Sequence, residues 1–381
     1  MTAPKLRFDG FNSDWTLDSI GAVISNKSKK YDPEKSEMDF PCIELEHLSQ
    51  QTGEILGTIS AKDQKSIKNV FDENSVLFGK LRPYLRKFAK PNFQGVCSSE
   101  IWVLTSKKMQ PNFLFQYVQT DGFSELTQIQ AGSKMPRADW GSISNGEILF
   151  PIFEEQTKIA SFLSAVDEKI SQLTQKHQLL SQYKQGMMQK IFSQQIRFKA
   201  DDGSEFEEWK TVRVKDIFDV TRGQVLAVSQ TISVSDKEYK FPVFSSQTKQ
   251  NGLMGFYKKY LFEDAITWTT DGANAGEVNF RKGKFYCTNV CGVLKSEKGY
   301  ANQCIAAILN RVSRKYVSYV GNPKLMNNVM SEIPITIPSN ISEQTKIANF
   351  LSTIDQKIEV TAQQIEQVKQ WKKGLLQQMF V

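Results

Sequence analysis

Lys80, Arg82, Arg86, Lys87 and Lys90 fall in one short run, GKLRPYLRKFAK, interleaved with Tyr84 and Phe88. Cations grouped this way, with rings between them, suit contact with a polyanion, because phosphate binding needs charge gathered on a face rather than summed over a domain. Lys27, Lys29 and Lys30 form a second group. Further along, Arg281, Lys282 and Lys284 follow the loop DGANAGEVNF, and Lys258 and Lys259 adjoin Tyr257 and Tyr260. The net charge of +7 points the same way but is unevenly spread. Residues 1–150 carry 18 basic and 18 acidic side chains, and residues 196–340 carry 20 and 15. Any one cluster could equally be solvated surface.

Groups for catalysis are sparse. The sequence has no GxxxxGK[ST] loop, no glycine-rich dinucleotide fingerprint after a strand and no GxSxG elbow. Two histidines, His47 and His177, leave little general-base capacity near neutral pH. Asp201, Asp202 and Glu208 with Lys210 superficially resemble the spaced carboxylates and lysine of metal-dependent nucleases, a pattern that a chain 23% charged also produces by chance. Cys42, Cys97, Cys287, Cys291 and Cys304 make an odd set with no completing ligands, so reduced thiols of a cytoplasmic protein and no metal site are expected. No apolar run reaches the 18 or so residues that span a membrane, and the sequence does not open on a signal peptide. Recognition is a better reading than reaction.

The cationic groups must be held by a scaffold, and the scaffold is a repeat. Glu155 to Phe192, opening EQTKIA, returns as Glu343 to Phe380 at a constant offset of 188, gapless and with close to half its positions identical. In the first copy Ile159, Leu163, Val166, Ile170, Leu173, His177, Leu180, Lys184, Met187 and Ile191 recur at alternating spacings of four and three. The second copy keeps the register with Ile347, Leu351, Ile354, Ile358, Thr361, Ile365, Val368, Lys372, Leu375 and Met379. This is the seam of a coiled coil rather than of one short buried helix. At about 1.5 Å per residue each helix would run roughly 57 Å.

Antiparallel packing is expected, since it puts the end near Phe192 beside the start near Ser342 and keeps Lys184 from facing Lys372. Leu6-Arg7-Phe8, with Gly10 and Trp15 after it, echoes Ile196-Arg197-Phe198, with Gly203 and Trp209 after it. The N-terminus therefore reads as the segment that should follow the second helix, and Val381 should lie near Met1. The domain plan is residues 1–150, a helix over 151–195, a second module over 196–340 and a second helix over 341–381. Each module mixes short strands with one or two helices, and Phe40-Pro41 with Phe241-Pro242, and Gly132 with Gly321, read as matched landmarks. The expected fold is mixed α/β and pseudo-twofold: two divergent α/β modules with two long antiparallel helices.

EEQTKIASFLSAVDEKI and SEQTKIANFLSTIDQKI, each after a proline-containing segment, closely resemble the conserved helical regions of type I restriction-modification specificity subunits. The modules resemble that family's paired target recognition domains, including the pattern around LRPYLRKFA and GVCSSEIWVL. The resemblance implies a non-catalytic DNA-reading subunit that assembles with two methyltransferase subunits and with restriction subunits, on a split double-stranded DNA target. S-adenosylmethionine, ATP and magnesium would belong to those partners, with no cofactor in this chain. The family's Gly-Thr-Pro loop is matched in part by Thr221-Arg222-Gly223-Gln224, whereas the first module has Ser25 to Lys30 there, without glycine.

Candidate DNA contacts divide by chemistry. Lys80, Arg86, Lys258 and Lys282 suit phosphates; Arg82, Lys134, Arg137, Arg222, Gln224, Gln247 and Asn274 offer bidentate or directional groups for base edges. Gly186 and Gly374, off the seam at matched positions, mark places where a partner's backbone could approach closely. Two competing readings are a self-contained DNA endonuclease or methyltransferase with fused readers, and a coiled-coil scaffold that binds no nucleic acid.

Overall fold

The computed structural model describes residues 3–128, 135–246 and 249–380. Two helices dominate: α1 (Phe153–Phe192, 40 residues) and α2 (Ile341–Met379, 39 residues). The chain forms two compact units. The first joins residues 1–175 to 361–381, and the second is residues 176–360. Each unit thus holds one half of each long helix, so the division runs through the helices rather than at the module ends.

That partition makes the helices antiparallel. In the first unit the start of α1 lies with the end of α2, and in the second the end of α1 lies with the start of α2. Repeated contacts tie each arrangement together. Arg7 Nε meets the Glu155 carboxylate at 2.7 Å while Leu6 N donates to Gln378 O at 2.9 Å, so one short segment straps the two helix ends. Its counterpart has Arg197 Nη2 on Glu343 at 3.0 Å and Ile196 N on Lys190 O at 3.3 Å. The N-terminal segment does follow α2 as its echo follows α1. Met1 and Val381 themselves lie outside the described residues.

The repeated EQT of the two helices is explained by these ends. Glu155 and Glu343 are fully buried in the first turns, where helix N-termini favour anions, and each is neutralised by its arginine. Gln156 Nε2 donates to Pro151 O at 2.8 Å and Gln344 Nε2 to Pro338 O at 2.9 Å, satisfying a carbonyl at each turn into the helix. Thr157 and Thr345 donate back to Phe153 O and Ile341 O.

Of the seam positions, Ile159, Leu163, Val166 and Leu173 are buried in the first helix and Ile347, Leu351, Ile354 and Ile365 in the second; Ile170, Leu180, Ile358 and Val368 are half-buried. Each fully buried aliphatic contributes about 1.5–3 kcal/mol. The two seam lysines do not meet. Lys372 pairs with Asp167 at 2.5 Å, and Lys184 pairs with Asp355. Asp355 lies 188 residues after Asp167 and Lys184 lies 188 before Lys372, so the two pairs are counterparts with the helices exchanged.

Each module is a sheet assembly leading into its helix through a two-stranded pair. Thr16–Ser19 runs antiparallel to Glu147–Phe150, and Lys210–Arg213 antiparallel to Pro334–Ile337. In the first module β1 (Pro41–Ile43), β2 (Val76–Gly79), β3 (Gly95–Cys97) and β4 (Ile101–Ser106) have counterparts in the second. There the matching strands are β5 (Phe241–Phe244), β6 (Phe262–Thr269), β7 (Val278–Cys287) and β8 (Cys291–Lys295). The register fixes the equivalence. Parallel pairing sets Ile43 beside Cys97 and Phe244 beside Cys287, so Pro41 corresponds to Pro242. Antiparallel pairing sets Gly79 opposite Ile101 and Thr269 opposite Cys291. Gly132 lies outside the described residues, so its match to Gly321 does too.

All five cysteines are free and buried. Desolvation holds their thiols protonated, with Cys42 and Cys291 each pushed up to about 11. Among the described residues no helix is long and apolar enough to cross a membrane.

Candidate nucleic-acid interface

The loop leaving β2 and the loop leaving β6 are built on one hydrogen-bond frame. In the first module Lys80 N donates to Glu100 O at 2.9 Å, Arg82 N to Pro136 O at 2.8 Å, and Ala138 N to Lys80 O at 2.8 Å. In the second, Thr270 N donates to Val290 O at 3.0 Å, Gly272 N to Pro323 O at 2.9 Å, and Leu325 N to Thr270 O at 2.9 Å. Leu81 bridges Arg137 as Asp271 bridges Lys324. The backbones agree, and the side chains do not. Lys80, Arg82 and Arg137 stand where the second module has Thr270, Gly272 and Lys324. A common frame carrying unlike side chains is what two readers of unlike sequences need.

In the first module this frame gathers three of the expected contacts. Lys80 is half-buried and Arg82 exposed. Arg137, about half exposed, lays Nε against the Glu100 carboxylate at 3.1 Å. A shallow depression beside them is lined by Pro83, Tyr84, Thr127, Gln128, Pro136 and Arg137, with Tyr84 half exposed. Lys134 lies outside the described residues.

Arg86, expected at a phosphate, has partners within the chain. Its guanidinium binds Asp121 Oδ1 at 2.8 Å and the carbonyls of Gln119 and Thr120, joining its turn to the start of the helix Asp121–Thr127. Arg86 and Gln377 hold the Asp121 carboxyl below its usual range. With these partners the arginine ties its turn to that helix through both terminal nitrogens. Lys87 is similarly spent on Leu45 O at 2.5 Å.

In the second module the matching end of the sheet collects Arg222, Gln224 and Asn274. The strand Asp219–Arg222 pairs with β8, with Arg222 opposite Gly292, so it ends beside the end of β6. Gly223 N then donates to Cys291 O at 3.0 Å and Gln224 N to Cys287 O at 3.1 Å. Gly223 is needed there, since a Cβ would lie 2.2 Å from Cys287 O. Gln224 is exposed, Asn274 half-buried, and the buried Nε of Arg222 has no hydrogen-bond partner among the described residues. Asn327 Nδ2 supports the strand through Thr221 O at 3.2 Å.

Lys258 and Lys282 are not part of this cluster. Leu261 N donates to Phe285 O and Gly283 N to Asp264 Oδ1, so both lysines flank the start of β6, the opposite end of the sheet from Thr270. Lys258 is also engaged with Glu238 at 3.2 Å, which raises its pKa. Gln247 lies outside the described residues. Sequence reasoning passed over Arg281 as an individual contact. It stacks on Phe244 at 3.8 Å, donates Nε to Thr267 Oγ1 at 3.1 Å and Nη2 to Asn251 O at 2.7 Å. No carboxylate faces it among the ion pairs of the described residues, and burial pushes it down to about 10. Its place in a dense cationic run was the only signal.

The carboxylates that could have suggested a nuclease are used elsewhere. Asp201 takes Lys346 at 2.6 Å, Asp202 closes its own turn with Ser204, and Glu208 faces Arg197 at 3.7 Å. Among the described residues no group of three His, Cys, Asp or Glu side chains could hold a metal ion.

Two stretches, residues 12–182 and 206–370, match the family model of the type I restriction modification DNA specificity domain, each spanning one module and most of the helix behind it. The chain belongs to this specificity family. A Mycoplasma pneumoniae chain described as the N-terminal part of a type I specificity subunit is 40% identical over 148 residues, which is 38% of this chain and 76% of that one. Another such subunit of that organism is 35% identical over 166 residues, covering 42% of this chain and 44% of its own length. A solved S subunit of a type I restriction-modification system from M. genitalium aligns over 100% of this chain and 99% of its own, with a TM-score of 0.70 at 16% identity. At that identity the likeness is one of fold, and this specificity-family chain has that fold throughout.

Proposed function

We propose that this chain is the DNA-reading, non-catalytic subunit of a type I restriction-modification enzyme, each module reading one half of a bipartite duplex target. The observation that carries the proposal is the shared loop frame with different side chains, Lys80, Arg82 and Arg137 against Thr270, Gly272 and Lys324, set behind two matched helices. Side chains at base edges specify sequence, while the common backbone keeps register. Two readers on one chain permit a target whose halves differ, unlike the palindromes of symmetric dimers. The helices fix the half-site spacing and dock two methyltransferase subunits, with restriction subunits joining that assembly. S-adenosylmethionine, ATP and magnesium act on those partners. A cytoplasmic setting agrees with five free buried thiols.

Gly186 and Gly374 support docking on the helices. A Cβ at either would meet nothing within 4 Å, and half-exposed Tyr183 and Trp371 stand three residues before them. The test of the whole reading exchanges residues 196–340 for the corresponding module of another family member and maps methylated bases in the assembled complex. One half of the target should change and the other persist. A wholly new target, or an unchanged one, would refute modular reading, and methylation or cleavage by the isolated chain would favour the self-contained enzyme.

A further inference from the structure

Arg82 has backbone angles of φ +52° and ψ +61°, in the left-handed region, and it precedes Pro83. Both circumstances are unfavourable for a residue with a Cβ. The left-handed conformation brings the Cβ against the following carbonyl, and a following proline ring drives its predecessor towards extended backbone. The second module adopts the same turn, with the same donation to a proline carbonyl, and places Gly272 there at φ +90°. Glycine is the residue the turn asks for.

Nothing within the described chain explains the arginine. Its neighbour in conformation, Arg86 at φ +48°, is held by Asp121 and two carbonyls, whereas the exposed Arg82 guanidinium makes no hydrogen bond or ion pair with a described residue. It borders the depression walled by Pro83, Tyr84, Pro136 and Arg137, whose own arginine is paired with Glu100. Strained residues retained without an internal partner are characteristic of positions kept for a ligand.

We propose that Arg82 is a specificity-determining residue of the first module: its planar fork reads the O6 and N7 acceptors of a guanine in that module's half-site. The second module, with Gly272 at the same point, reads its half-site without this contact. The proposal rests on the DNA-reading function above and deepens it.

The experiment uses the chain assembled with its methyltransferase partners, S-adenosylmethionine as donor, and duplexes in which each guanine of the first half-site is replaced in turn by 7-deazaguanine. That half-site is the one that survives exchange of residues 196–340. For the wild-type complex one replacement should lower kcat/KM about 10- to 100-fold. R82G, which removes the donors to both O6 and N7, should lose at least as much on the natural duplex, become indifferent to that replacement, and raise the melting temperature of the free chain by a few degrees as the strain is relieved. R82K, whose ammonium still donates but lacks the fixed fork, should fall between R82G and the wild type on DNA. If R82G keeps both its rate and its sensitivity to the replacement, base reading by Arg82 is overturned; if R82K matches the wild type, the planar fork is overturned as the reading group. A melting temperature that falls in R82G would overturn the strain argument. Failure of the wild-type complex to methylate any defined sequence would instead sink the DNA-reading function itself.

Discussion

One ion pair is made twice in this chain, in two degrees of burial, and this allows a prediction with an internal control. Lys372 and Asp167 have side chains 10% and 31% exposed; Lys184 and Asp355, their counterparts, are 27% and 37% exposed. Lys372 Nζ also donates to Gln119 Oε1 at 2.6 Å, and Gln116 Nε2 donates to Asp167 Oδ2 at 2.9 Å. Truncating Lys372 to alanine leaves the Asp167 carboxylate without its counter-charge and the Gln119 oxygen without its donor. Breaking a fully buried pair costs about 3–5 kcal/mol, and the hydration still open to Asp167 brings the expectation to about 2–3 kcal/mol. K184A breaks a pair that water screens and should cost about 0.5 kcal/mol. The assay is native-state hydrogen exchange read by mass spectrometry on peptides covering residues 155–175 with 361–379, and 176–192 with 341–360. K372A should accelerate exchange in the first set about 30- to 150-fold, and K184A in the second about twofold.

Replacing both Lys372 and Asp167 by Met and Leu should recover most of the loss, since the apolar pair needs no counter-ion. The pH dependence has a definite sign. Burial, outweighing Asp167, holds Lys372 below the ordinary value of 10.5. The unfolded chain therefore binds more protons between the depressed value and 10.5, so this residue's contribution rises with pH across that window, and K372A abolishes the rise. Equal effects of K372A and K184A on exchange would refute the argument from burial.

Two further substitutions test the site and the helices. Gly223→Ala places a methyl 2.2 Å from Cys287 O and 2.3 Å from Thr288 O, backbone atoms that cannot step aside, so the second module should lose more than about 2 kcal/mol by urea denaturation. G186A and G374A face open space inside a helix and should each stabilise the free chain by about 1 kcal/mol, whereas G186W should leave its folding intact by circular dichroism yet weaken capture of the methyltransferase subunit; unchanged capture would remove Gly186 from the docking surface.

How much was legible from the residues depended on how local the cause was. The seam from Ile159 to Met379 could be read because helix periodicity is set within each turn, and the antiparallel sense followed from chain closure and from the echo of Leu6-Arg7-Phe8 in Ile196-Arg197-Phe198. The function of Arg86 could not be read, because its partners lie 33 to 35 residues away on another element. The equivalence of Arg82 and Gly272 was hidden for the same reason, since each is fixed by a proline carbonyl more than fifty residues on, and the side chains at the two points share nothing.

The sequence alone therefore carried the duplication and the two long helices, which are properties of period, and the resemblance to the family, which rests on the repeated EQTKIA segments. Only the tertiary structure decided which cations are spent inside the chain and which face outward. A guanidinium has the same charge in either place, and its availability is settled by whether distant backbone folds a carboxylate or a carbonyl against it.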